Sequence, residues 1–251
     1  MTTVAAARAT CRRAGVRMGV VTAFAAAAGA SSATPAAIAR GPAAVAPSQE
    51  LAILLAPHHV FAAPHIRRSR ARTIAARRPI TGVPTVLPVV GHARTDDGVG
   101  WLRVMIPGRP NGTRGWIKQR ETIYKTTVWH IVVKPSTRRV LVYRRGRLER
   151  IFAVIVGKPS TPTPRGRFFV EENVRVPPSS PGAPFALATS ARSNVLQEFN
   201  GGPGQIGIHG VRNIGGTLGT AVSHGCVRLA DRDIRWLAAR IAPGVPLTIT
   251  A

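Results

Sequence analysis

Residues 206–229 read IGIHGVRNIGGTLGTAVSHGCVRL: two short apolar runs flank a glycine-rich return and carry two histidines, a serine and a cysteine. A cysteine nucleophile needs a base to take its proton, a group to orient that base, and N–H donors for the oxyanion formed when a carbonyl is attacked. This stretch offers all three. His224 stands two residues before Cys226, so in an extended chain both side chains share a face, while in a turn their directions stay open. His209 is separated from Ser223 by 13 residues and is expected to approach from a neighbouring strand. Gly225 lets the backbone come close to a substrate, and the N–H groups of Gly225 and Cys226 are candidate oxyanion donors. His224 either shares the acid–base work or braces the turn, and Ser223 either touches substrate or supports the turn. His209, His224 and Cys226 are also three potential zinc ligands. The Ser-His-Gly-Cys string accounts for more than a zinc site does, and neither a metal nor another cofactor is expected.

Upstream of this stretch the chain reads as short strands broken by turn formers. Upstream lie Trp129 to Val133, Arg139 to Tyr143, Arg150 to Val156 and Arg167 to Glu171, which predict a largely antiparallel β domain over 128–251. One helix is signalled near the end. Asp231 is expected to cap it, with Ile234, Leu237, Ala238 and Ile241 on one face and Pro243-Gly244 stopping it. The stretch 176–204, rich in Pro, Gly and Ser, reads as a long loop that builds a site or a lid. Further upstream, Val86 to Val90, Trp101 to Ile106 and Gly115 to Ile117 are strands about ten residues apart with hairpin turns between them. The segment GWLRVMIPGRPNGTRGWI, residues 100–117, resembles the small SH3-like barrels of bacterial wall enzymes, implying such a module over 80–127. Trp101 and Trp116 read there as core. Residues 40–79 are expected to be linker or remain unassigned.

The first forty residues contain no acid and set Arg8, Arg12, Arg13 and Arg17 before the small apolar run Met18 to Ala30, followed by Ala-x-Ala sites. This is secretory signal chemistry over 1–39. If uncleaved, the same run would serve as a membrane anchor, although it is short of the roughly 20 residues a span needs. Export would place the protein in the periplasm or cell wall with one cysteine, Cys226, and a single thiol can form no internal disulfide. Lys and Arg number 35 against 10 Asp and Glu, a net charge of +25, and 31 of the 35 are Arg. The excess runs along the whole chain. It suits an acidic polymer or an anionic surface, whereas nucleic acid is disfavoured by export and by the lack of a groove-reading motif. His58, His59, His65, His92 and His130 read as ordinary surface or core residues.

His209, the spacer and Ser223-His224-Gly225-Cys226, with TPTPRGRF at 161–168, together resemble the signature of the peptidoglycan L,D-transpeptidases, the YkuD-type domain. The resemblance implies a mainly β chain: a small SH3-like β-barrel module, then a β-sandwich-like catalytic domain with one short C-terminal helix. It implies Cys226 as nucleophile, His209 as base and the Gly210 carbonyl as the group orienting that base. Arg228 stands where one branch of the family has Asn, and is expected to read a substrate carboxylate. His209 is expected to raise the thiolate fraction above the few per cent of a free thiol. The implied substrates are peptidoglycan stem peptides, joined in 3-3 cross-links, and the implied inhibitors are carbapenem β-lactams. Hydrolysis of the same bond, as an L,D-carboxypeptidase, and a non-catalytic wall-binding role are the alternatives.

Overall fold

The computed structural model describes residues 45–64, 72–199 and 201–251. The expected signal lies outside them. Among the described residues no helix is long and apolar enough to cross a membrane.

The first part contains β1 (Gln49–Leu54), β2 (His58–Val60), β3 (Arg72–Ile74), β4 (Val86–Arg94), β5 (Gly100–Met105), β6 (Arg114–Lys118) and β7 (Thr122–Thr127). Five of these form an antiparallel sheet in the order β6-β5-β4-β1-β7, and β2 pairs with β3. The stretch expected to be linker therefore supplies β1, which sits between β4 and β7. Its alternation is weak because Leu51, Ala52 and Leu54 are all buried, so it lacks the apolar/polar signature of a half-exposed strand. Trp101 is a core residue, packed edge-on against Phe61 at 5.2 Å.

The second part begins with β8 (Trp129–Lys134), β9 (Arg139–Arg144), β10 (Arg147–Ala153), β11 (Val156–Gly157) and β12 (Gly166–Arg175). It continues through β13 (Phe185–Arg192), β14 (Gln205–Gly210), β15 (Ala221–Ser223), β16 (Val227–Leu229), α1 (Asp231–Ala238) and β17 (Pro246–Ile249). Eight strands form one mixed sheet in the order β10-β9-β8-β17-β12-β13-β14-β16, with β17 parallel to β8 and β14 parallel to β16. β13 lies inside the stretch expected to be loop. It reads FALATSAR and its last six residues are buried, so small side chains packed on both faces leave no alternation to detect. Helix α1 begins one residue after Ala230, which is the N-cap and makes no side-chain cap bond. Asp231 is thus a first-turn residue, and its carboxylate is held by Arg212 Nε at 2.8 Å.

β12 joins the two parts. Its consecutive Phe168 and Phe169 are both 1% exposed. Strand alternation sends Phe168 into the core of the large sheet and Phe169 into that of the first sheet. Such burial contributes about 1.5–3 kcal/mol per side chain. The register then shifts between Val170 and Glu172, and the carboxylates of Glu171 and Glu172 are both enclosed. Glu171 accepts hydrogen bonds from Arg78, from Arg192 Nη2 at 3.1 Å and from Gln205 Nε2 at 3.3 Å. Glu172 accepts from the N–H and hydroxyl of Thr81 at 2.8 and 2.7 Å. Removing one member of a buried ionic group leaves its partners uncompensated, at about 3–5 kcal/mol. Glu171→Ala should lower the unfolding free energy by that amount in urea titrations. Glu50→Ala, which removes the exposed Glu50–His92 pair, should cost less than about 1 kcal/mol.

Candidate active site

Parallel pairing sets Ile208 beside Val227, His209 beside Arg228 and Gly210 beside Leu229. Cys226 lies one residue before this ladder, and its Sγ accepts a hydrogen bond from the Gly207 N–H at 3.4 Å. Cys226, His209, His224 and Arg228 all line one cavity of about 480 Å³, walled also by Leu196, Phe199, Ile206 and Ile214.

His209 Nδ1 lies 2.8 Å from the Gly210 carbonyl oxygen. A carbonyl can only accept, so Nδ1 carries the proton and Nε2 is left as the basic nitrogen. Gly182, at φ +84°, packs against the same Nδ1 edge of the ring: a Cβ there would stand 2.7 Å from His209 Nδ1. The segment 180–184, rich in Pro and Gly, thus fixes the imidazole by close contact.

The cysteine turn is built by Ser223, which is fully enclosed. Its hydroxyl donates to the Cys226 carbonyl at 2.6 Å and accepts from the Gly225 N–H at 3.1 Å. Two sequence-based expectations change as a result. Ser223 is a turn brace with no surface to offer a substrate, and the Gly225 N–H is engaged by Ser223, so it is not an oxyanion donor. Gly225 itself is required: its φ is +118°, and a Cβ would meet Ile206 Cδ1 at 2.9 Å. His224 is exposed, with its ring 5.5 Å from that of Phe199.

Residues that sequence reasoning missed hold this turn from outside. The Thr163 hydroxyl donates to the Gly225 carbonyl at 2.8 Å and accepts from the Gly157 N–H at 2.9 Å. Thr161 donates to the Ser223 carbonyl at 3.3 Å. The available signal was the TPTPRGRF string, whose threonines are the bracing groups.

Arg228 is 8% exposed and bonds through its backbone to Ile155 in both directions. Its Nη1 donates to the Gly215 carbonyl at 3.2 Å, while its Nε has no partner. Among the described residues no carboxylate pairs with it. A buried guanidinium without an anion is costly, and this one borders the cavity. No three His, Cys, Asp or Glu side chains come together to hold a metal among the described residues.

Residues 129–249 match the model of the L,D-transpeptidase catalytic domain, YkuD. The YkuD protein of Bacillus licheniformis is 35% identical over 125 residues, covering 50% of this chain and 67% of the relative. The chain belongs to the YkuD family of L,D-transpeptidase catalytic domains. YkuD of Bacillus subtilis is 31% identical over 124 residues, covering 49% of this chain and 67% of the relative. Among solved structures, an L,D-transpeptidase from Mycobacterium smegmatis is 17% identical with a TM-score of 0.39, covering 67% of this chain and all of that one. L,D-transpeptidase 3 from Mycobacterium tuberculosis, in complex with a faropenem-derived adduct, is 16% identical with a TM-score of 0.40, covering 65% and 94%.

Burial acts on both reactive side chains of this L,D-transpeptidase site. Burial pushes the Cys226 thiol above its ordinary value, against the opposing pulls of the Gly207 N–H and the Arg228 charge. Burial also holds His209 below its ordinary value, opposed by the Gly210 carbonyl and reinforced by Arg228. Desolvation thus penalises both charged forms and works against the enrichment of thiolate at neutral pH that the sequence leads one to expect of His209. Because the thiolate is the alkylating form, the rate of Cys226 modification by iodoacetamide should climb with pH and inflect above pH 9. A plateau already present near pH 7, read by mass spectrometry, would instead reveal a preformed thiolate–imidazolium pair.

Proposed function

We propose that this protein is an exported peptidoglycan L,D-transpeptidase that forms 3-3 cross-links through a cysteine thioester. The observation that carries the reading is the shared cavity, on which a thiol, a neutral imidazole with a free Nε2 and an anion-less guanidinium converge. In the donor step Cys226 Sγ attacks the carbonyl at the L-centre of the third stem residue as its proton passes to His209 Nε2. The Cys226 N–H is the remaining candidate donor to the oxyanion. Collapse expels the terminal D-alanine, whose amine takes the proton back from His209, and leaves a thioester on Cys226. The amine of a second stem then attacks the thioester, giving its proton to His209, and the thiol is restored. Atoms and charge balance without metal, nucleotide or organic cofactor. The five-stranded sheet is read as an SH3-like module, and the apolar run at 18–30 as the export signal.

Purified protein incubated with tetrapeptide muropeptides should yield 3-3 linked dimers. Shortened tripeptides alone would indicate hydrolysis, an L,D-carboxypeptidase, and untouched substrate with retained wall binding would indicate a binding module. Carbapenem β-lactams should add their mass to the wild type, while Cys226→Ala, still folded, should take up no label and catalyse nothing. Arg228 is assigned to a stem carboxylate, which two parallel hydrogen bonds from a guanidinium would hold and a lysine ammonium would not reproduce. Arg228→Lys should lower kcat/KM about 10- to 100-fold on free-carboxylate stems. The same loss on stems with that carboxylate amidated would remove the assignment.

A further inference from the structure

One wall of the cavity is held from the first sheet. The chain leaving β13 runs out through 193–199 and returns through 201–204, and Ser193, Leu196, Phe199 and Gly204 from these two limbs line the cavity. The base is closed by the Ser193 N–H, which donates to the Gly204 carbonyl at 2.8 Å, and the outer part by reciprocal backbone bonds between Phe199 and Gly202 at 2.9 and 3.0 Å. Arg109, on the connection between β5 and β6, adds a tie to both limbs from the first sheet. Its guanidinium donates to the carbonyls of Ser193 at 2.8 Å and Leu196 at 2.9 Å on the outgoing limb, and to that of Pro203 at 2.8 Å on the returning limb.

Asn111 adds a second tie from the same connection. Its Nδ2 donates to the Arg192 carbonyl at 2.7 Å and to Asn194 Oδ1 at 3.0 Å, and its Oδ1 accepts from the Arg192 N–H at 2.9 Å. Gly204 lets the two limbs and the guanidinium come close: its φ is +61°, and a Cβ there would stand 2.1 Å from the Leu196 carbonyl oxygen and 3.1 Å from Arg109 Nη2. The limbs themselves are thinly anchored, with Val195 and Phe199 about half exposed. Few buried apolar contacts, with the bonds shared between the limbs' own backbone and Ser193 hydroxyl and the side chains of Arg109 and Asn111, mark a segment that opens more readily once those outside ties are cut.

We propose that Arg109 is a positioning residue for the donor stem: the first sheet, through this guanidinium, sets the shape of the cavity wall opposite the catalytic strands. The proposal rests on the transpeptidase reading given above. Cys226, His209 and Arg228 lie on the turn and strands of the large sheet, outside the limbs, so the chemistry does not depend on the tie. Binding does, because a loosened wall must be ordered at the moment the substrate arrives, and that cost falls on affinity. A planar fork holding three carbonyls on two limbs is work for arginine, and a lysine ammonium would keep the charge and lose the geometry.

The test compares wild type, Arg109→Ala and Arg109→Lys in the full chain by three measurements: amide hydrogen exchange, kcat and KM on a tetrapeptide stem, and the acylation rate by a carbapenem at saturating concentration. In Arg109→Ala, exchange across the two limbs should speed up at least 10-fold while the β8–β10 amides stay protected. KM should rise at least 10-fold and kcat stay within about threefold, as should carbapenem acylation. Arg109→Lys, the variant that preserves bulk and charge should the alanine form fold poorly, should reproduce at least a threefold rise in KM. The proposal is overturned by unchanged exchange in the limbs, by faster exchange with unchanged KM, or by a fall in kcat and acylation that tracks a drop in global melting temperature. Failure of the transpeptidase reading is separate, since it appears in the wild type itself as a protein that turns over no stem.

Discussion

The parallel pairing of β14 with β16 is the constraint on which the rest of the site depends. Parallel neighbours cannot be joined by a tight hairpin, so the chain between them must leave the sheet and return. Here that excursion carries β15, which pairs with β11, and ends in the turn presenting Cys226. Register then does the positioning: with Ile208 opposite Val227, the cysteine one step before the ladder comes level with Gly207, whose N–H meets its sulfur. A slip of one residue would turn His209 and Arg228 away from the cavity and drive Ile208 and Val227 out of the core. The core therefore defends the catalytic register, since Ile208, Val227 and Leu229 are fully buried.

A second consequence concerns where the site is stabilised. Ser223, Thr161 and Thr163 form a set of hydroxyls behind the cysteine turn, each with an acceptor in the backbone. They hold a glycine conformation that has little intrinsic preference of its own. The reactive thiol is thus presented by groups that never meet the substrate, and its high proton affinity follows from the burial this support creates.

Much of this was legible from residues alone. The cysteine, its histidine on the neighbouring strand of the sheet and the arginine two residues beyond the cysteine follow from spacing, residue chemistry and the two-residue repeat of a strand. The turn's interior was not legible, because it is closed by Thr161 and Thr163, 62 residues distant from the carbonyls they bond, and nothing local in Ser-His-Gly-Cys points to them. β13 was hidden by its small residues, and β1 by a partner, β7, that lies more than 70 residues downstream. Asp231 looked like a cap because capping residues and first-turn acids are the same residue types; Arg212, which takes its carboxylate, decided between them.

β10 closes one end of the eight-stranded order, with β9 as its sole neighbour in the sheet among the described residues. Its outer flank therefore presents backbone donors and acceptors on which another chain could template, and Leu148 and Ile151 there are about half exposed. At the opposite end β16 is covered by its bridge to Ile155, so the hazard is one-sided. Arg147 stands on that edge strand, while the Arg150 guanidinium lies over the Trp236 ring at 5.0 Å; charged side chains along an edge strand disfavour its pairing with another sheet. Part of the chain's large cationic excess thus acts as a guard against edge-to-edge aggregation, keeping sheets of neighbouring molecules from fusing.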